Sequence, residues 1–101
     1  CYIEDAMVGF FMVIASGMLG EAYNIGNDIP EITIADLAEM MAGVDGKGLK
    51  TQITEYPDTY PGDEPERRCP DLNKAKALGY TPSVELEEGV RRFLSWSAVN
   101  F

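Results

Sequence analysis

The feature that most constrains this chain is the apolar segment at residues 6–15, which reads A-M-V-G-F-F-M-V-I-A. Glu4 and Asp5 precede it, and acidic residues favour the first turn of a helix. In a helix over residues 4–17 the apolar side chains would cover every face, and such a helix is usually buried on several sides. A domain of this size has only a modest core. We therefore expect the helix to be the centre of a free-standing domain or, in the interpretation that we prefer, to pack also against protein outside this chain.

Composition argues against several classes of partner and site. The chain carries a net charge of −9 in 101 residues, which disfavours nucleic acid and anionic membranes as partners. No apolar run reaches the length of about 18 residues expected of a membrane-spanning helix. Histidine, the commonest general base and metal ligand, is absent, and we predict no metal site. The two cysteines, Cys1 and Cys69, do not make a disulfide framework, so we expect a reduced, cytoplasmic setting.

The residue patterns predict a small α+β domain over residues 1–101, with about four helices and two or three short strands. Residues 21–27 and 49–56 alternate between apolar and polar side chains and lie between glycine-containing or proline-containing loops, which is typical of strands. Residues 1–3 are expected to end another strand. Helices are predicted at residues 4–17, after Thr33, after Asp71 and at residues 85–98.

The sequence also predicts the ends and inner faces of these helices. Gly43 is the expected stop of the second helix and Gly79 is the left-handed stop of the third, in which Leu72 and Ala75 share the inner face.

The last predicted helix has a weak start signal, because Glu85 is a poor cap. Its first turn is acidic, and Glu87 and Glu88 are spaced to pair with Arg91 and Arg92 at i, i+4.

The second predicted helix has the clearest start signal. Thr33 is placed as its N-cap, and Asp36 stands at the third helical position, close to a capping box. Apolar side chains then follow at helical spacing, at positions 34, 37, 38 and 41. Capping is therefore the expected role of Thr33.

A proline-containing loop carries two adjacent arginines, Arg67 and Arg68. Pro65 and Pro70 restrict the backbone on either side of them. A planar guanidinium can bind a phosphate through two parallel hydrogen bonds, which would give the pair a function. The alternative is ion pairing with nearby carboxylates, which is common and weak at a surface; the candidates are Asp63, Glu64 and Glu66. The residue types alone leave both interpretations open.

Several motifs in this part of the chain resemble those of one enzyme family. Residues 65–75 read P-E-R-R-C-P-D-L-N-K-A, residues 78–82 read L-G-Y-T-P, and residues 86–89 read L-E-E-G. The series resembles the C-terminal signature of extended short-chain dehydrogenases/reductases, the NAD-dependent nucleotide-sugar epimerases, 4,6-dehydratases and UDP-glucuronate decarboxylases. Two earlier stretches, residues 2–6 and 20–26, are similar to the family's Y-V-x-D-[AL] and G-E-x-Y-N-[IL]-G motifs. The resemblance thus extends over nearly the whole chain.

The resemblance implies three substrate-binding residues. In the family, the arginine two residues before Pro-Asp contacts the diphosphate of the nucleotide sugar, and by position this arginine is Arg68. The resemblance also implies that Tyr2 approaches the nucleotide and that the segment around Thr33 borders it. We therefore expect Arg68, Thr33 and Tyr2 to belong to the substrate site.

The resemblance also implies a cofactor that this chain does not bind by itself. The family binds NAD through a G-x-x-G-x-x-G turn and uses a Y-x-x-x-K pair for proton exchange, and neither pattern occurs here. We therefore predict no catalytic residue in this chain and no activity of the chain alone. NAD would bind an N-terminal Rossmann lobe that is absent here and that packs on helix 4–17, and the parent enzyme is expected to be a homodimer.

The predicted function is that of a nucleotide-sugar-binding lobe, the C-terminal part of an extended Rossmann-type epimerase, dehydratase or decarboxylase. The alternative is a non-catalytic protein-interaction module that uses the apolar helix 4–17 as its binding face.

Overall fold

The computed structural model describes residues 1–16, 19–60, 62–63, 65 and 67–101. Four helices lie within these ranges: α1 at Ile3–Ser16, α2 at Ile34–Asp45, α3 at Asn73–Lys76 and α4 at Leu86–Asn100. All four were predicted from the sequence, and the expected end of the first helix at Gly17 lies outside the described residues. None of the described helices combines the length and the apolar character needed to cross a membrane.

The predicted α+β class is wrong, because no strand occurs in the described part of the chain. Ile3 already belongs to α1, and residues 21–27 and 49–56 form no β-ladder. Alternating side chains indicate only that a segment would suit a pleated surface, whereas a strand also needs a neighbour to which its N–H and C=O groups can bond. Residues 49–56 are exposed along their whole length and have no such neighbour within the described ranges.

The core is small and is built around α3. Leu72, Ala75 and Tyr80 are each only 1% exposed, and Met12 and Ile25 pack against them. The inward placement of Leu72 and Ala75 was predicted from their spacing. The segment around Ile25 is held by hydrogen bonds from side chains to backbone carbonyl groups and not by a strand ladder. Tyr80 Oη donates to the Gly26 carbonyl oxygen at 2.8 Å, and Asn24 Nδ2 donates to the Asp71 carbonyl oxygen at 3.1 Å.

Two predicted helix-end signals are confirmed, and one end is shifted. Thr33 caps α2, and Gly79 has the left-handed φ of 94° expected after α3. Helix α2 passes the predicted stop at Gly43 and ends at Asp45. Its C-cap is Gly46, which has φ of 68° and donates its N–H to the Ala42 carbonyl oxygen. Asp71 accepts a hydrogen bond from the Asn73 backbone at 2.8 Å, just ahead of α3.

The chain has far more surface than a compact domain of its mass. Its accessible surface is 8107 Å², whereas a compact monomer of 11.1 kDa is expected to expose about 5,700 Å². Its radius of gyration is 16.6 Å, compared with about 13 Å for a compact chain of this length. Much of the excess is apolar, because six large side chains of α1 are more than two-fifths exposed: Ile3, Met7, Val8, Phe10, Phe11 and Ile14.

Candidate functional site

The arginine loop, residues 67–70, is attached to the segment before α2 by a two-point ion pair. Arg67 Nε donates to Glu31 Oε1 at 2.6 Å, and Arg67 Nη2 donates to Glu31 Oε2 at 2.8 Å. The ion-pairing alternative therefore holds for Arg67, but with a carboxylate 36 residues away instead of a close neighbour in sequence. Two of the expected partners, Glu64 and Glu66, lie outside the described residues.

Further contacts hold the same loop just after Arg68. A Cβ on Gly26 would lie 3.1 Å from Pro70 Cγ, so Gly26 allows Pro70 to pack closely against the backbone. Cys69 Sγ lies 4.0 Å from the Asp28 carbonyl oxygen. Arg68 is exposed and lies between these contacts and the Arg67–Glu31 pair. The structure therefore places Arg68 at the surface, on a loop that runs beside residues 26–31.

Thr33 lies two residues after Glu31, at the N-terminus of α2. Its Oγ1 accepts a hydrogen bond from the Asp36 backbone at 3.0 Å and donates to Asp36 Oδ2 at 2.7 Å. Asp36 Oδ2 also lies 3.4 Å from the Thr33 backbone nitrogen, completing the capping box. The predicted capping role of Thr33 is confirmed. The Arg67–Glu31 pair brings the arginine loop near this helix end, whose dipole favours negative charge.

Tyr2 lies in a different part of the surface, beside a cavity of about 410 Å³ between the start of α1, α2 and α4. Its ring packs on Gly89, where an added Cβ would lie 3.2 Å from Tyr2 Cδ2, and the Arg92 guanidinium lies 5.5 Å from the ring centroid. The cavity lining is mainly apolar and includes Ile29, Pro30, Leu37, Met41, Leu86 and Phe93. Neither Arg68 nor Thr33 lines this cavity.

The segment at residues 27–31 connects the two regions. Asn27, Ile29 and Pro30 line the cavity that Tyr2 borders, and the Ile29–Pro30 peptide bond is cis. Asp28 and Glu31, on the same segment, bind the cationic side chains of the arginine loop and α3. This segment therefore contacts the arginine loop through Glu31 and lines the cavity beside Tyr2, and no single described cavity contains Arg68, Thr33 and Tyr2 together.

The carboxylates at this site are held in their charged form. The hydrogen bond from Arg67 lowers the pKa of Glu31, and the hydrogen bond from Lys76 lowers the pKa of Asp28. The bond with Glu31 also raises the pKa of Arg67. Both ion pairs are therefore intact at neutral pH. On the adjoining surface Lys74 binds Glu21, which lowers the pKa of that carboxyl group as well.

The described residues offer no evident metal or dinucleotide site. No group of three or more Cys, Asp or Glu side chains within the described ranges could hold a metal ion. Gly46 and Gly48 have φ values of 68° and 72°, but they follow α2. A phosphate-binding glycine turn precedes a helix and presents its N-terminal N–H groups, so these glycines do not form one.

Sequence comparisons found related enzymes. The chain is 31% identical over 103 residues to the dTDP-D-glucose 4,6-dehydratase of Mus musculus, covering 99% of this chain and 29% of that protein. It is 32% identical over 106 residues to dTDP-glucose 4,6-dehydratase 1 of Escherichia coli (strain K12), covering 98% of this chain and 28% of that protein. It is 33% identical over 91 residues to UDP-glucuronic acid decarboxylase 3 of Arabidopsis thaliana, covering 89% of this chain and 25% of that protein.

The chain thus spans between 25% and 29% of the length of these three relatives. No family model matches the chain, and no solved structure matches it.

Proposed function

Because this chain is homologous to a segment of the extended short-chain dehydrogenases/reductases, we propose that it is the nucleotide-sugar-binding lobe of a dehydratase or decarboxylase of that family. The lobe would form the C-terminal part of the enzyme. NAD and the catalytic residues would belong to a dinucleotide-binding lobe outside these 101 residues. The chain alone would then be inactive.

The observation that carries the proposal is the position of Arg68. Arg68 is exposed, and the loop residues before and after it contact residues 26–31. Through Glu31, this loop is attached close to the N-terminus of α2, the positive end of the helix dipole. A nucleotide diphosphate is an anion that a guanidinium can bind through charge-assisted hydrogen bonds, each contributing about 1.5–3 kcal/mol. Such binding, made away from the reacting carbon, orients the sugar for the chemical step.

Thr33 and Tyr2 have less direct roles in this proposal. The Thr33 hydroxyl is engaged in capping α2, so its contribution is to hold the helix end that borders the nucleotide. Tyr2 is half-buried at the start of α1 and would approach the nucleotide from the cavity that it lines with Ile29 and Pro30.

The exposed face of α1 supports the existence of a second lobe. The chain exposes roughly 2,400 Å² more than a compact monomer of its mass would. That excess is larger than the approximately 800 Å² that one partner buries in a standard interface. We propose that the dinucleotide-binding lobe covers the apolar side chains of α1, so that the nucleotide sugar is bound between the two lobes.

The proposal is tested by Arg68→Ala in the intact enzyme, with Arg91→Ala as the matched control. Arg91 is an exposed arginine of α4 that pairs with Glu87 at 2.8 Å, far along the chain from the arginine loop. We expect Arg68→Ala to weaken nucleotide-sugar binding about tenfold or more while NAD binding is unchanged, because one charge-assisted contact is lost. Arg91→Ala should change neither affinity. Unchanged nucleotide-sugar affinity in Arg68→Ala would reject the proposal.

The exposed apolar face of α1 is also what a non-catalytic interaction module would need. The two functions differ in one measurement on the intact protein. The enzyme proposal requires NAD-dependent turnover of a nucleotide sugar, whereas a module would bind its partner without turnover.

A further inference from the structure

We propose that Arg67 is a positioning residue for substrate binding: it holds Glu31 and thereby fixes the arginine loop so that Arg68 is presented beside the start of α2. This inference rests on the proposed function, in which Arg68 contacts the diphosphate. Arg67 itself would not touch the substrate.

The geometry of the ion pair is suited to fixing orientation. Two parallel N–H···O hydrogen bonds, at 2.6 Å and 2.8 Å, join the flat guanidinium of Arg67 to both carboxylate oxygens of Glu31. A two-point contact of this kind restrains the angle between two side chains as well as their distance. Neither Arg67 nor Glu31 lies in a helix, so the contact joins two loop segments that are 36 residues apart in the chain.

The position of the pair along the loop is the second argument. On the C-terminal side of Arg68, Pro70 packs on Gly26 and Cys69 lies near the Asp28 carbonyl oxygen. On the N-terminal side the attachment is the Arg67–Glu31 pair, and the described residues before it, 57–60, 62–63 and 65, are exposed. Without the pair, this attachment next to Arg68 would be lost. Binding would then have to restrain more of the backbone at Arg67 and Arg68, which weakens affinity.

The pair contributes little to the stability of the fold. The Arg67 and Glu31 side chains are 69% and 49% exposed, and exposed ion pairs stabilise a protein only weakly. Its loss should therefore be detected as weaker substrate binding and not as unfolding.

The experiment is a double-mutant cycle in the intact enzyme with Arg67→Ala, Glu31→Gln and the double variant. We expect each single variant to raise KM for the nucleotide sugar by about threefold to tenfold while kcat changes by less than about twofold, since substrate positioning is affected and the reacting groups are not. The double variant should be no worse than either single variant, because both remove the same contact. The control pair is Arg91→Ala and Glu87→Gln on α4, which should leave KM unchanged.

Glu31→Gln separates positioning from direct binding. If Arg67 itself binds the diphosphate, Glu31 competes with the substrate for the guanidinium, and Glu31→Gln would leave KM unchanged or lower it. Either of those results, or effects of the two variants that add independently, would overturn the inference.

Arg68→Ala in the same assay distinguishes this failure from failure of the proposed function. If Arg68→Ala weakens binding while Arg67→Ala and Glu31→Gln do not, only the positioning role is rejected. If Arg68→Ala leaves binding unchanged, the proposed function itself is rejected.

Discussion

The Asp5 carboxylate in α1 holds Ser83, 78 residues further along the chain. Asp5 Oδ1 accepts hydrogen bonds from the Ser83 backbone N–H at 3.0 Å and from the Ser83 hydroxyl at 2.9 Å, while Oδ2 accepts one from the Val84 N–H at 2.9 Å. Asp5 is only 5% exposed. One buried side chain of α1 thus positions the segment that leads into α4.

The first prediction concerns these hydrogen bonds. Asp5→Asn replaces one acceptor oxygen by an NH₂ group, so at least one part-buried hydrogen bond from Ser83 or Val84 is lost at a cost of about 1–3 kcal/mol. Hydrogen exchange of the Ser83 and Val84 amides in the intact protein should become faster. Asp58→Asn is the control, because Asp58 is exposed in a turn. Equal protection of both amides in wild type and Asp5→Asn would contradict the assigned role.

The second prediction concerns acid stability. Burial by itself raises the pKa of Asp5, but the hydrogen bonds from Val84 and Ser83 outweigh it and leave the pKa below the ordinary aspartate value of about 3.9. A carboxyl group with a lowered pKa in the folded state adds stability above its unfolded pKa and loses that contribution as pH falls through the folded pKa. We expect acid titration to destabilise the wild-type protein below about pH 4, and Asp5→Asn to make that loss less steep.

Glu31 and Asp28 also have lowered pKa values, so the pH dependence should be reduced in Asp5→Asn and not abolished. The apparent melting temperature between pH 2 and pH 7 is the measurement. An identical pH profile in the two proteins would show that Asp5 has the same pKa in the folded and unfolded states.

The third prediction concerns the close approach of α1 to the core at Gly9. A Cβ at this position would lie 2.7 Å from Ile25 Cγ2 and 2.8 Å from Tyr80 Cε2. Gly9→Ala should therefore destabilise the protein by about 1–3 kcal/mol through overpacking, partly offset by the better helix propensity of alanine.

Gly43→Ala is the matched control for Gly9→Ala. Gly43 lies in α2, and a Cβ there would meet no atom within 4 Å. This variant should raise stability by about 0.5–1 kcal/mol. Thermal unfolding of both variants gives the comparison, and a Gly9→Ala protein as stable as Gly43→Ala would contradict the packing.

The fourth prediction concerns the exposed face of α1 in the isolated 101-residue chain. Phe10 and Phe11 are 56% and 60% exposed, and exposed apolar patches of this kind favour association. We expect the chain to sediment as species larger than a monomer, and Phe10→Ser with Phe11→Ser to shift it towards the monomer.

Phe101→Ser is the control for that experiment, since Phe101 is 99% exposed but lies at the end of α4. It should leave the association unchanged. A wild-type chain that sediments as a well-folded monomer would contradict the proposal that another lobe covers α1.

Local signals in the sequence predicted the helices well. The Thr33–Asp36 capping box, the turn at Gly79 and the inward spacing of Leu72 and Ala75 each depend on residues within a few positions of one another. Two predicted i, i+4 pairs of α4 are confirmed, with both N···O distances at 2.8 Å: Glu87–Arg91 and Glu88–Arg92. The weak cap at Glu85 is confirmed as well, because its side chain makes no capping bond.

Sequence reasoning failed where a residue's partner is distant. Segments 21–27 and 49–56 have side-chain patterns that suit strands, but within the described residues no neighbouring strand completes a ladder. The partner of Arg67 was sought among Asp63, Glu64 and Glu66, and Glu31 has no local pattern that marks it. The hydrogen bond from Ser83 to Asp5 likewise joins residues far apart in the sequence, and no local pattern predicts it.

From residue order alone it was possible to infer the helices, their caps and a family resemblance, because these depend on short-range spacing and on motifs. Only the tertiary structure decided that Arg67 binds Glu31 and that Asp5 holds Ser83. Only the tertiary structure, likewise, showed that the apolar side chains of α1 are largely exposed. Each of these outcomes depends on which distant segments of the chain pack together, and short-range patterns in the sequence do not specify that.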